Sequence, residues 1–299
     1  MLRSSLVFAG AVAITSPVAA FADDDPIVLE RSTDWNVDFA PNKCRLAAAF
    51  GEGEDRHLLF LEQYGPNEAV GLTVAGPSFR KFRSRRETEL FFYEGQQPHE
   101  TEPFKGEVEG FGDAVIYSSV DLEEGVGLAD GGANDEDQSA DPPGLEQLDA
   151  QFAKRVQFVA LRQRGPEVRF ATGPLDEAFK VMNTCTQDLV RQMGLDVDGL
   201  LSATRGPDLL NQEFVARRVQ RHYSSAALSR GEQGMFHMRL IVNEQGEMEE
   251  CFMSAATTTE KLESPACTEF ENAEFSPALD TNGEPMRSYY ATRITYVIN

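Results

Sequence analysis

Four cysteines behind a short apolar start constrain this chain more than any other feature. Met1-Leu2-Arg3 leads into an apolar run from Leu6 to Ile14, then Ser16-Pro17 and the small-residue site Ala20-Phe21-Ala22 before Asp23-Asp24-Asp25. A positive start, an apolar core and an Ala-x-Ala end are the parts of a secretory signal peptide, so residues 1–22 are expected to be removed by cleavage after Ala22. The run is shorter than the roughly 20 residues a spanning helix needs, which disfavours a retained anchor. No cysteine follows the cleavage site to accept a lipid. No later stretch is long and apolar enough to span a bilayer, so the mature form is expected to be exported, with no stable membrane span.

In an oxidising compartment Cys44, Cys185, Cys251 and Cys267 are expected to form disulfides. Four cysteines allow three connectivities. The late two lie close in sequence and the early two flank one long segment, which favours Cys44 with Cys185 and Cys251 with Cys267. Each bridge then stabilises by about 3 to 5 kcal/mol, the longer loop more. Zinc is the competing use, but there is no Cys-x-x-Cys pair, and His57, His99, His222 and His237 are scattered. Neither metal nor cofactor is predicted.

Acidic residues outnumber basic ones, 49 to 27, for a net charge of -22, which excludes a generally basic nucleic-acid binder. A hydrophobic content of 41% is that of a packed protein. The charge is uneven: residues 121–150 carry ten Asp and Glu with no Lys or Arg, a local net of -10. The core of that stretch, Gly125 to Gly144, has almost no large apolar residues and cannot offset the entropy of ordering, so a flexible loop is expected over about 121–150. Running against the trend, Arg80, Lys81, Arg83, Arg85 and Arg86 cluster around Phe79 and Phe82. Such a patch suits phosphates or an acidic polymer, a loose pairing with the acidic loop, or a solvated hairpin or edge strand.

Residues 23–200 read as a strand-rich domain. Apolar runs at Trp35 to Phe39, His57 to Tyr64, Ala69 to Ala75, Glu89 to Tyr93, Ala114 to Val120, Val156 to Leu161 and Val168 to Ala171 are separated by turn residues. A closing helix then starts at Pro174, with Ala178, Met182, Cys185, Leu189 and Met193 at helical spacing before Gly194. No catalytic motif is present, and cysteines committed to bridges supply no thiol nucleophile; no enzyme is predicted.

Residues 215–299 follow a different plan. Gly234 precedes an alternating strand in which Phe236, Met238, Leu240 and Val242 face one way, Asn243-Glu244-Gln245-Gly246 turns the chain, and Glu247 to Met253 returns. Lys261 to Asn272 reads as a helix with Leu262, Ala266 and Phe270 on one face, and Met286 to Ile298 as a final strand. The order is β-β-α-β, so the whole chain is α+β: a strand-rich N-terminal domain closed by a helix, plus a small C-terminal module.

That module resembles the C-terminal domain of TonB-type proteins. The resemblance rests on Tyr223, Ala227, Gly234, the turn from Val242 through Gly246, Phe275-Ser276-Pro277-Ala278 and Gly283-Glu284-Pro285, within about the last 77 to 85 residues. Ser224 departs from the proline usual after the tyrosine. The resemblance implies a periplasmic module that engages an envelope protein, such as an outer-membrane transporter, by adding a strand to a free edge. The candidate edge is the last strand, with Tyr289, Tyr290, Thr292, Ile294, Tyr296 and Ile298 as partner-binding residues and no nucleic acid involved. TonB-type transducers keep a membrane anchor and a long Pro-rich reach. Here the start looks cleavable and a folded domain replaces the linker, which favours an exported adaptor. A transducer with an uncleaved anchor and an enzyme acting on an envelope polymer are the alternatives.

Overall fold

The computed structural model describes residues 25–84, 86–122, 144–222, 225–230, 234–258 and 264–296. The apolar start with its cleavage site, most of the acidic stretch, Arg85, Tyr223, Ser224, Leu262 and Ile298 lie outside the described residues. The N-terminal part contains β1 (Ile27–Glu30), β2 (Asn36–Ala40), β3 (Lys43–Phe50), β4 (His57–Gln63), β5 (Val70–Ala75), β6 (Thr88–Phe91), β7 (His99–Thr101), β8 (Phe104–Val108), β9 (Gly112–Val120), β10 (Val159–Arg162) and β11 (Val168–Ala171). They form a six-stranded sheet, β2-β3-β4-β5-β9-β8, and a five-stranded sheet, β1-β11-β10-β6-β7.

Alternation decides which residues meet between these sheets. Along β3, Cys44, Leu46, Ala48 and Phe50 are buried while Lys43, Arg45, Ala47 and Ala49 face outward. Their partners Leu61 and Leu59 on β4, then Leu72 and Val74 on β5, extend the same inner face. Phe170 and Leu90 of the second sheet complete the core. Helix α1 (Asp176–Gln192) covers one end, burying Phe179, Met182, Cys185 and Leu189, residues spaced on one helical face. The Cys44–Cys185 disulfide joins β3 to α1.

Two expectations need correction. The acidic stretch is packed from Gly144 onward: Leu145 and Leu148 are buried, and Leu148 exchanges two 2.9 Å hydrogen bonds with the Asn183 side chain. These leucines supply apolar area that the acidic residues before them lack. Among its described residues the basic stretch contains no strand, so its edge-strand alternative does not hold. Pro77–Lys81 is a 3-10 turn, because Phe79 and Phe82, three residues apart, both bury into the core.

After α2 (Val197–Ser202) the chain runs through β12 (Asp208–Leu209), α3 (Gln212–Arg221), α4 (Ser225–Arg230), β13 (Gly234–Val242), β14 (Met248–Thr258), α5 (Ala266–Phe270), β15 (Phe275–Ser276), β16 (Ala278–Leu279), β17 (Pro285–Met286) and β18 (Ser288–Tyr296). β13 is central in a three-stranded antiparallel sheet, β14-β13-β18. The β13–β14 turn is built by Asn243, whose Oδ1 accepts the N–H groups of Gln245 and Glu247. Gly246 follows at φ +78°, where a Cβ would sit 2.1 Å from the Phe275 carbonyl oxygen. One face of the sheet, with Phe236, Met238, Leu240 and Val242, packs on α3 and α5 through Val215, Val219, Ala266 and Phe270. The Cys251–Cys267 disulfide ties β14 to α5.

The opposite face of β13 is covered by the N-terminal part. Ile241 and Tyr289 pack with Leu145, Val190, Leu195, Val197 and Leu200. His237 stacks on Tyr64 with ring centroids 4.0 Å apart and planes within 6°. Gly65 lies so close that a Cβ there would come within 1.8 Å of the Tyr289 hydroxyl. Residues 204–211 then wrap the module: Arg205 reaches Ser276 at 2.7 Å, and Asn211 bonds the backbone at Asn272 and Glu274. Gly65→Ala is expected to destabilise the protein by about 1–3 kcal/mol through overpacking. Urea unfolding checks it; a neutral or stabilising effect is what an undocked loop would give.

Candidate partner-binding site

β18 occupies an edge of its sheet. It pairs with β13 in unbroken antiparallel register from Ser288↔Val242 to Tyr296↔Gly234, and among the described residues no strand pairs its other side. The far edge is β14, which is fastened to α5 by the Cys251–Cys267 bridge. β18 is therefore the edge left clear of a covalently attached helix.

Register places each candidate side chain. Tyr290, Thr292 and Ile294 lie opposite Leu240, Met238 and Phe236, on the helix-covered face, where Tyr290 and Ile294 are half-buried against the module's core. Tyr296 is buried on that face, its ring 5.9 Å from Phe236 and its hydroxyl 2.9 Å from Ser264 Oγ. Burial holds the Tyr290 hydroxyl up at about 12. Tyr289 instead points to the N-terminal part, is buried, and has its hydroxyl unpaired. Ile298 lies outside the described residues. What β18 presents outward is thus mainly backbone, with exposed Ala291 and Thr295 on the face opposite the helices.

The docked face of β13 carries charge-bearing groups at high cost. Arg239 is buried with its Nε unpaired, and burial lowers its affinity for its proton. Burial, helped by the cations of Arg293 and Arg239, pulls His237 down to about 4, so the imidazole stacked on Tyr64 is neutral. Its docking contribution is present above about pH 6.5 and lost as pH falls toward 4. Glu146, next to Leu145 at this seam, is pushed up to about 7 by burial, with Glu68 adding to the shift. A cleft of about 390 Å³ opens beside the His237–Tyr64 stack, lined among others by Lys43, Arg45, Phe60 and Glu62. Lys43 and Arg45 share the Glu62 carboxylate at 2.8 and 2.6 Å.

On the module's other side, the buried Glu269 carboxylate receives Arg218 at 2.5 Å and His222 at 2.7 Å, locking α3 onto α5. Sequence reasoning missed the second face of β13, made of Met235, His237, Arg239 and Ile241. The signal was the near-continuous apolar run Leu240-Ile241-Val242, which marks a strand covered on both sides. Among the described residues no group of three or more His, Cys, Asp or Glu converges to hold a metal ion.

The C-terminal module is a three-stranded antiparallel sheet backed by short helices, with no strand beyond β18 among the described residues. Residues 219–298 match the family of the Gram-negative bacterial TonB protein C-terminal, and this part of the chain is a TonB-type C-terminal domain. No curated protein and no solved structure matches the chain. The domain points to interaction with TonB-dependent outer-membrane transporters, and together with the two disulfides it points to a location in the envelope. No helix among the described residues is long and apolar enough to cross a membrane.

The sign of the Glu146 effect gives a test. Its folded-state proton affinity is raised from 4.5 to about 7, so the carboxyl costs nothing below pH 4.5 and its full penalty above pH 7. Discounted for partial exposure, that penalty is about 2 kcal/mol. Glu146→Gln is expected to match the parent in stability at pH 4 and to exceed it by about 2 kcal/mol at pH 8. Denaturant melts at the two pH values measure the difference.

Proposed function

We propose that this protein is an exported envelope adaptor, not an enzyme, whose C-terminal module captures an extended segment of an outer-membrane transporter as a fourth strand beside β18. The free outer side of β18 carries this reading: nine residues of extended backbone with one side paired and the other unpaired among the described residues. In strand addition the main chain supplies affinity and alternate side chains supply selectivity. Here the incoming strand would meet Tyr290, Thr292 and Ile294 on one face and Ala291, Arg293 and Thr295 on the other. The N-terminal part supports an adaptor over an energy transducer, because it packs directly on the module's second face and leaves no extended reach between them.

Neighbouring residues of a strand point their N–H groups to opposite sides. Of Ala291→Pro and Thr292→Pro, one removes a bond to β13 and the other only an outward donor. The second is expected to melt within a few degrees of the parent yet lose its partner. Photo-crosslinkers placed at the exposed Thr295 in cell envelopes, followed by mass spectrometry, read this out. Crosslinks to an outer-membrane transporter that vanish in the folded proline variant support the reading. Crosslinks indifferent to proline, or none to such a protein, contradict it.

A further inference from the structure

The basic turn is built as a display. Phe79 and Phe82 are anchored in the core, so the residues between and after them are held at the surface: Arg80, Lys81 and Arg83 are exposed and Arg86 is half-exposed. Gln163, from the connection between β10 and β11, clamps the stretch. Its Oε1 accepts the Arg83 N–H at 2.8 Å, and its Nε2 donates to the Arg83 and Arg86 carbonyls at 2.9 and 3.0 Å. Arg164, exposed, is the next residue after Gln163 on the same connection, a fifth cation that sequence distance concealed.

In a chain of net charge -22, carboxylates are plentiful: Lys43, Arg45, Lys105, Arg162 and Lys180 each hold one, and Arg169 holds two. Arg80, Lys81, Arg83, Arg86 and Arg164 form no ion pair among the described residues. The nearby acids are engaged elsewhere: Glu89 pairs with Arg162, and Glu87 shares a hydrogen bond with Glu100. Four of the five cations are arginines, whose forked donors suit phosphate oxygens. Beside them stands an exposed aromatic. The Lys105 N–H donates to Ser84 Oγ at 3.0 Å, which sets the preceding Phe104, 38% exposed, next to the turn.

We infer that Arg80, Lys81, Arg83 and Arg86, with Arg164 and Phe104, form a docking surface for the phosphate headgroups of an anionic phospholipid bilayer. Cations that hold no carboxylate among the described residues supply attraction to the headgroups, and the exposed ring favours a bilayer interface over a wholly polar polymer. This surface lies on the β-rich N-terminal part and does not depend on strand addition at β18.

Sedimentation of the mature full chain with phosphatidylcholine vesicles, with and without phosphatidylglycerol, tests it. The parent is expected to sediment only with the anionic vesicles and to be released as salt is raised. Arg80→Ser/Arg83→Ser/Arg164→Ser is expected to weaken binding by roughly a hundredfold, and Arg83→Ser alone by about fivefold, with melting temperatures unchanged because these side chains make no buried contact. Phe104→Ser should weaken binding several-fold while leaving the salt dependence intact. Equal sedimentation with neutral vesicles, or undiminished binding by the arginine variants, overturns the inference. Capture of soluble polyphosphate without sedimentation on vesicles also overturns it and assigns the patch to a soluble polyanion.

Discussion

The structure depends on β13 being buried on both faces. Phe236, Met238, Leu240 and Val242 fill the module's own core, while Met235, His237, Arg239 and Ile241 turn to the N-terminal part. A sheet of three strands offers little area on one side alone, and small units of this size are marginal by themselves. Covering the second face with Val190, Leu195, Val197 and Leu200 adds a second apolar contact layer. It also brings polar groups into the seam, and the unpaired Arg239 Nε and Tyr289 hydroxyl are the cost.

That arrangement limits how the module meets other molecules. With helices on one face and a folded domain on the other, the sheet can offer only its edges. β14 is tied to α5 through a disulfide, whereas among the described residues no strand pairs the outward backbone groups of β18. Exposed edges are ordinarily blunted by charge or covered, and among the described residues the nine residues of β18 carry no strand on their outer side. The seam fixes the direction in which this edge faces relative to the rest of the protein.

How much of this was legible in the sequence varies with the physics behind each signal. Strands announced by β-branched and aromatic residues, such as Ala114 to Val120, were readable; β3 was not, because Ala47-Ala48-Ala49 masks the alternation of Cys44, Leu46, Ala48 and Phe50. The cysteine pairing favoured from spacing is the pairing in the structure, since the close pair spans one strand–helix step and the distant pair one whole layer. The helix read over Lys261 to Asn272 is described only as Ala266–Phe270. The two-sided burial of β13 and the turn holding Arg80 to Arg86 are tertiary outcomes. They rest on Tyr64, Gly65 and Gln163, residues whose local sequence carries no sign of their distant partners. The resemblance in the last 80 residues pointed to the edge, but which side chains flank it came only from register.

Hydrogen exchange on the intact protein, resolved by peptide or residue, tests the central claim most directly. If β13 is held by both parts of the chain, its amides should open only with the global transition, at the same free energy as those of β4 and β5. Along β18, inward amides should share that protection while alternate outward ones exchange rapidly. An account in which the module is an independent unit would instead show β13 exchanging well before β4 and β5, and uniform protection along β18 would mean that its edge is already filled.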